Sequence, residues 1–506
     1  MKRFWIFLVA LTLLAGCLSA CAENNKPDQG SATQAATQPQ TTAQEAETVP
    51  LPEADYIGKT FTLLHRDDET YKEGWIADEE AQGSRIGKAV FTRNATVEER
   101  YGVYLDFESG LTEVNDTLAS KFMDKLNKMI MLGENTYQLA AGYSYVLSVM
   151  STRGGFLNWY TVPNVDLERE WWDGEFLLYS SYRGSSYIAS GPLSLTSMKA
   201  SACLFFDVDA LSRYIPGGTE KLFGEVRNGE WTIDRLMEYA KDCTPSIEGD
   251  DLSARTYGFA SNRNENIDAF VYAFNMGFTA YDTDGKPVIR NINSGNPIVD
   301  AYEKIRSFIG TDFYWYVDTD DPEYGDGHVD WLLNRKTVFT AGLLQNAAKL
   351  RMDVAEINYG ILPYPKWNAE QEKYLTYKTH SHTDFAIPRT VKDAGEAEFV
   401  GTITEALAYY SNLLVKDALY NVVLKYRDAR DEDSSHCVDL ILAGGRYDFA
   451  NIYAYAWGDQ QSPAHLFRQC LKRGTSSIVS AFAAEKSRYN SVLEDFLKEF
   501  QTEEKS

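Results

Sequence analysis

Two observations near the start of the chain predict a mixed α/β protein with largely parallel sheets. Thr60-Phe61-Thr62-Leu63-Leu64 reads as a strand, and Ile86, Val90, Val97 and Tyr101 follow it at helical spacing. Val103, Leu105 and Phe107 then alternate with Tyr104 and Asp106, before Leu118, Phe122, Leu126 and Ile130 recur at four-residue intervals. Strand, helix, strand, helix is the pattern of an α/β sandwich, in which helices cover a parallel sheet.

The later elements carry their own signals. Asn115 or Asp116 is placed to cap the second helix, and a strand is expected over Gln138-Leu139-Ala140-Ala141. Trp231-Thr232-Ile233-Asp234 opens a helix with Thr232 as cap and Asp234 in the first turn, where the helix dipole favours an anion. Trp231 reads as structural there. Tyr257-Gly258-Phe259-Ala260 reads as a strand. Asn296-Pro297 places Asn at N-cap and Pro at N1 ahead of Ile298, Tyr302, Ile305 and Phe308, and Gly310 is expected in the left-handed C′ position. Long helical stretches are expected from about Glu396 to Lys425 and from about Ser480 to Phe500. No internal repeat of fixed period is present.

Composition bounds the function. Among 506 residues, 49 Lys+Arg face 73 Asp+Glu, a formal net charge of −24, so nucleic-acid binding and attraction to anionic headgroups are excluded as expectations. Hydrophobic residues at 44% and charged residues at 24% are enough for a real core, and the length suits two to three domains or two large lobes. The 32 Tyr and 10 Trp suit a protein that presents flat faces to a ligand.

The first fifty residues read as export and anchoring. Met1-Lys2-Arg3 is a short basic segment, and Phe4 to Ala15 is an apolar run of signal-peptide length, too short to span a bilayer. Leu14-Ala15-Gly16-Cys17 and Leu18-Ser19-Ala20-Cys21 both resemble the lipobox of bacterial lipoproteins, so Cys17 or Cys21 is expected to carry lipid and residues 1–21 to be a signal peptide. Residues 22–53 are rich in Asn, Gln, Thr, Ala, Ser and Pro and read as a flexible tether. No later run approaches the roughly 18 apolar residues of a membrane helix, so the chain is expected to be anchored to the outer face of a cytoplasmic membrane.

Sequence signatures of enzymes are missing: G-x-S-x-G, H-E-x-x-H, G-x-x-x-x-G-K-[ST] and G-x-G-x-x-G do not occur. His380-Ser381-His382-Thr383-Asp384 resembles the H-x-H-x-D metal motif of the metallo-β-lactamase fold but has Phe385 where that motif continues with His. It reads instead as a polar loop entering the strand Phe385-Ala386-Ile387, stopped by Pro388, and neither metal nor cofactor is expected. Cys203, Cys243, Cys437 and Cys470 lack close C-x-x-C spacing and read as buried thiols or as one or two disulfides. The charge run Asp428 to Asp433 reads as a solvated face.

Several segments together resemble the extracellular solute-binding lipoproteins of bacterial ABC importers, in particular the maltodextrin-binding type. They are the lipobox, Gly229-Glu230-Trp231-Thr232-Ile233-Asp234-Arg235-Leu236, Phe339-Thr340-Ala341-Gly342 after Leu333-Asn334-Arg335-Lys336, and Tyr359-Gly360-Ile361-Leu362-Pro363-Tyr364-Pro365. The stretch beyond about Asp439 has no counterpart in the resemblance. The resemblance implies a two-lobed periplasmic-binding-protein-like (type II) fold with a hinge, and no catalysis. Lobe 1 is expected from 54–167 with 359–435, and lobe 2 from 168–358 with 436–506. The implied role is capture of a carbohydrate by a monomer that delivers it to ABC permease subunits. The competing readings are a surface-anchored glycoside hydrolase, or the same fold holding a peptide or another small solute.

Ligands of open α/β sheets bind beyond the carboxyl ends of strands. The candidate residues therefore follow expected strands: His65 and Arg66, Tyr143 and Tyr145, Asn262 and Asn266. Trp159 in a Gly-rich stretch, Tyr187 and Ser190 near the first lobe crossover, and Trp331, Tyr364 and Trp367 complete the set. Aromatic faces suit the apolar faces of pyranoses and polar side chains suit hydroxyls.

Overall fold

The structure is a computed structural model that describes residues 49–66, 74–76, 83–110, 118–244, 256–262, 265–317, 327–352, 357–458 and 461–500. Cys17, Cys21, the tether up to residue 48, Asn115 and Asp116 lie outside the described residues. In chain order the strands are β1 (Thr60–His65), β2 (Tyr104–Ser109), β3 (Leu139–Tyr143), β4 (Ala202–Asp207), β5 (Tyr257–Asn262), β6 (Thr279–Tyr281), β7 (Pro287–Ile289), β8 (Tyr314–Val317), β9 (Thr337–Leu343), β10 (Tyr359–Leu362), β11 (Thr376–Tyr377), β12 (Thr383–Ala386) and β13 (Gly445–Arg446).

Two sheets organise the chain. The first runs β12-β3-β1-β2, with β1 parallel to both β2 and β3 and with β12 antiparallel at the edge. Phe61, Leu63 and Leu64 of β1 are all buried, as in a strand covered on both faces. The second sheet runs β10-β4-β9-β5-β8, in which β5 is parallel to β8 and β9 while β4 runs against β9 and β10.

Helices cover both sheets where the apolar spacing placed them. Helix Arg85–Tyr101 is capped by Ser84, which accepts from the Gly87 amide, and it buries Ile86, Val90, Val97 and Tyr101. Thr232 caps helix Ile233–Asp242, and the buried Trp231 donates its indole N–H to Pro363 O at 3.0 Å, so Trp231 is structural. Asn296 caps helix Pro297–Ile309 with Pro at its first position, but Gly310 sits at φ −76°. Its amide bonds back to Arg306 and Phe308 without a left-handed residue, contrary to the C′ expectation.

Other sequence expectations are adjusted by packing. The helix expected from Glu396 begins at Ala394, capped by Asp393, and after Tyr410 it widens to i→i+5 bonding over Ser411–Val415 and Ala418–Asp428. Asp428, read as part of a solvated face, is buried and pairs with Arg351 at 3.0 Å. The four body cysteines are free and buried. β10, expected to open the return to lobe 1, pairs with β4 and buries Ile361 and Leu362 in the second sheet. Trp171, Trp172 and Leu177 pack with Phe61, Leu63 and Leu139 of the first sheet. Beyond Asp439, the helices Pro463–Lys472 and Ile478–Leu497 bury Phe467, Phe482, Leu493 and Phe496 in the large core cluster, together with Phe449, Tyr453 and Trp457. No helix among the described residues is long and apolar enough to cross a membrane.

Candidate functional site

Parallel pairing brings the carboxyl ends of β1 and β3 together, in the register His65 to Ala141. Antiparallel β12 begins at the same end, with Thr383 opposite Tyr143. Arg66 just after β1, Tyr143 at the end of β3, Tyr145 in the helix Ser144–Ser151 that follows it, and the segment before β12 therefore meet in one cluster. Arg66 is buried, with its guanidinium carbon 3.7 Å from the centre of the Tyr143 ring, and its Nη1 donates to Ser381 O at 2.6 Å. Tyr143 lies 5.1 Å from Tyr145, and Tyr145 meets His380 edge-on at 6.0 Å.

A fourth contribution comes from the C-terminal part of the chain. Tyr455, in the short 3-10 helix Ala454–Trp457, lies 4.6 Å from Tyr145 and 5.5 Å from His380. Tyr143, Tyr145 and Tyr455 keep part of their surface open. Such offset rings present both apolar faces and hydroxyls, which is the chemistry a polyhydroxylated ring engages.

The cluster continues toward the second sheet. Tyr377 Oη lies 3.3 Å from His380 Nδ1 and 3.3 Å from Asn451 Nδ2. The Tyr377 ring stacks on Tyr272 at 4.8 Å and 16°. Tyr272 belongs to helix Glu265–Ala273, which follows β5. On that side Asn262 ends β5, and Tyr364 donates to the backbone oxygen of Asn266 at 3.1 Å.

Several expected ligand residues stand apart from the cluster. Trp159 is a core residue, packed 5.3 Å from Trp172, in a short helix capped by Asn158. Tyr187 is buried, donates to Glu499 O at 2.9 Å and packs against Phe500. Ser190 is fully buried, and its carbonyl accepts from the Asp173 amide. His65 is buried with Nδ1 2.9 Å from Arg66 O. Trp331 packs with Trp315 and Tyr257, and Trp367 packs with Phe274 and under Lys304. His380, Tyr377, Asn451 and Tyr455 were not among the expected ligand residues. The visible signal for Tyr455 is the alternation Tyr453-Ala454-Tyr455-Ala456-Trp457.

The H-x-H-x-D segment divides its side chains between two tasks. His380 faces the aromatic cluster, whereas His382 is buried with Nε2 2.8 Å from Asp384 Oδ1 and Nδ1 2.5 Å from Thr379 O. Burial alone lowers the His382 pKa, but the Asp384 carboxylate and the Thr379 carbonyl outweigh it and hold the imidazole above its ordinary value. Among the described residues no group of three His, Cys, Asp or Glu side chains converges as metal ligands would.

No protein-family model matches this chain, and no curated protein matches it. Solved structures do. The GacH receptor of Streptomyces glaucescens, determined unliganded and with acarbose, aligns over 87% of this chain and 100% of its own at TM-score 0.53 and 12% identity. A family 1 extracellular solute-binding protein from Bifidobacterium longum subsp. infantis aligns over 86% and 100% at TM-score 0.52 and 12% identity. UspC of M. tuberculosis aligns over 86% and 100% at TM-score 0.52 and 13% identity. The fold is that of the two-lobed solute-binding proteins.

Proposed function

We propose that the protein is an exported, lipid-anchored solute-binding protein that captures a carbohydrate, an oligosaccharide, between its lobes and passes it as a monomer to the permease of an ABC importer. The observation that supports this reading is the row Arg66, Tyr143, Tyr145 and Tyr455 at the strand ends, joined through His380 and Tyr377 to Tyr272 on the helix after β5. Ligand binding drives closure only when the closed state offers more contacts than the open one, so a useful site draws on both lobes. The lobes follow the two sheets, with the segments 191–201 and 363–382 crossing between them. Anchoring rests on the lipobox at Cys17 or Cys21. Similarity to a receptor determined with acarbose supports a sugar as the solute.

The test is a thermal-shift and calorimetric screen of the mature protein against mono- and oligosaccharides, with the sugar recovered afterwards. A ligand of the folded state raises the midpoint through RT ln(1 + [L]/Kd), so millimolar sugar reports even weak binding. A rise with a sugar recovered intact supports the reading. Cleavage of the sugar identifies a glycoside hydrolase instead, and a response to peptides alone moves the same fold to another solute.

A further inference from the structure

Away from the strand-end cluster, a cavity of about 500 Å³ opens beside the segments that join the two sheets. Pro192, Ser197 and Met198, on the segment leading into β4, line it together with Lys378, on the segment leading to β12. Lys378, Ser197 and Met198 are more than nine-tenths buried, whereas Glu170 and Glu175, which also line the cavity, are exposed. The cavity therefore has a buried ammonium on one side and, on its exposed side, the carboxylates of Glu170 and Glu175 with the ammonium of Lys416, which donates to Asn412 Oδ1 at 2.9 Å.

The buried side is short of negative charge. Lys378 Nζ donates to Ser197 O at 3.0 Å and to Ser201 Oγ at 2.6 Å, both neutral oxygens. The carboxylate that acts on it, Asp173, is engaged elsewhere, accepting the Phe176 amide at 3.0 Å and the Tyr447 hydroxyl at 2.7 Å. Burial pulls the Lys378 amine down to about 8, so near neutral pH it is mostly charged. A buried ammonium without an ion-pair partner is costly, and an entering anion recovers that cost. Asp173 also lines the cavity, and the fourth lining carboxylate, Asp439, is paired with Lys425 at 3.0 Å.

A simple anion meets Glu170 and Glu175 beside Lys416 on the exposed side, and a simple cation meets Lys378 on the buried side. A molecule with a carboxylate at one end and an ammonium at the other satisfies both. The volume lies within the roughly 300–1,000 Å³ of small-molecule sites. We propose that this cavity is a second ligand site, for a zwitterionic free amino acid or dipeptide, with its carboxylate on Lys378 and its ammonium toward Glu170 and Glu175. The assignment is independent of the sugar reading, because it uses none of the strand-end residues.

The experiment is calorimetric titration of the full chain with the twenty amino acids and a set of dipeptides, together with their N-acetylated and C-amidated forms. The expected result is a zwitterion that binds at millimolar concentration or better and weakens at least about tenfold when either end is blocked. Lys378→Met and Glu175→Gln are each expected to weaken it by about the same factor, with Tyr145→Ala leaving it unchanged. Since Lys378→Met alters a buried position, the exposed Glu175→Gln decides alone if the first variant misfolds. Silence for every zwitterion at about 10 mM overturns the proposal, as does equal binding of the blocked forms. Binding lost in Tyr145→Ala and kept in Lys378→Met and Glu175→Gln also overturns it and moves the ligand to the strand-end cluster.

Discussion

The guanidinium of Arg66 sits over Tyr143 with its central carbon 3.7 Å from the ring centre, and the same group reaches Ser381 O at 2.6 Å. One side chain thereby ties the ends of β1 and β3 to the segment before β12. A desolvated cation–π pair is worth about 2 kcal/mol, against about 0.5–1 at the surface. A double-mutant cycle of Arg66→Met and Tyr143→Leu, read by urea unfolding, is expected to show a coupling of about 1–2 kcal/mol. Additive losses would mean that the contact carries no energy. Arg66→Lys is expected to retain little of the coupling, because an ammonium lacks the planar stacking face.

Glu405 predicts a stability that falls as pH rises. Its two oxygens accept the indole N–H groups of Trp171 and Trp172, each at 2.9 Å. Burial nevertheless pushes its carboxyl up to about 7, against those two bonds, which pull it down. The folded pKa stands above the ordinary 4.5, so the folded state holds a proton that the unfolded chain has released. The contribution is complete below about 4.5 and is lost as pH rises through about 7, by roughly 3 kcal/mol at most. Glu405→Gln is expected to remove that slope. Unfolding free energies of both proteins from pH 4 to 8 check it, and parallel curves would assign the slope to other groups.

How much of this was readable beforehand follows from range. Thr232, Asn296 and the face of Ile86, Val90 and Val97 are decided within a turn or two of helix, and the structure has them where spacing put them. That Arg66, Tyr143 and Tyr145 meet at one sheet end was legible because a parallel sheet forces strand ends together. Tyr455 was not, since its approach to Tyr145 spans some three hundred residues and depends on how the C-terminal helices pack. The burial of Trp159 and Tyr187 was not legible, because an aromatic in a loop looks the same in sequence whether it faces solvent or core. Asp428 looked like a surface acid for the same reason, its partner Arg351 lying far off in the chain.

His382 titrates in the same sense as Glu405 but in a different window. Its folded pKa is raised above the ordinary 6.5 by Asp384 and Thr379, which overcome the burial that alone lowers it. Its contribution is full below about 6.5 and is lost as pH climbs through the raised value. Asp384→Asn is expected to bring the imidazole back down, since the removed charge is the larger support. An NMR pH titration of the His382 ring checks this, and an unchanged midpoint in the variant would place the cause elsewhere.

Tyr455 gives the sharpest test of the C-terminal segment as part of the ligand site. Its ring lies 4.6 Å from Tyr145 and 5.5 Å from His380, and it is only half-buried, so replacing it leaves the large core cluster intact. Tyr455→Ala is expected to weaken the sugar identified in the screen by about tenfold, near 1.4 kcal/mol, while the thermal midpoint without ligand barely moves. Tyr455→Phe keeps the face and loses the hydroxyl, so comparing the two variants separates stacking from hydrogen bonding. Stacking predicts that Phe restores most of the affinity, and hydrogen bonding predicts that Phe behaves as Ala does. If neither substitution changes the affinity, the ring serves only to pack Tyr145, and the segment beyond Asp439 is structural.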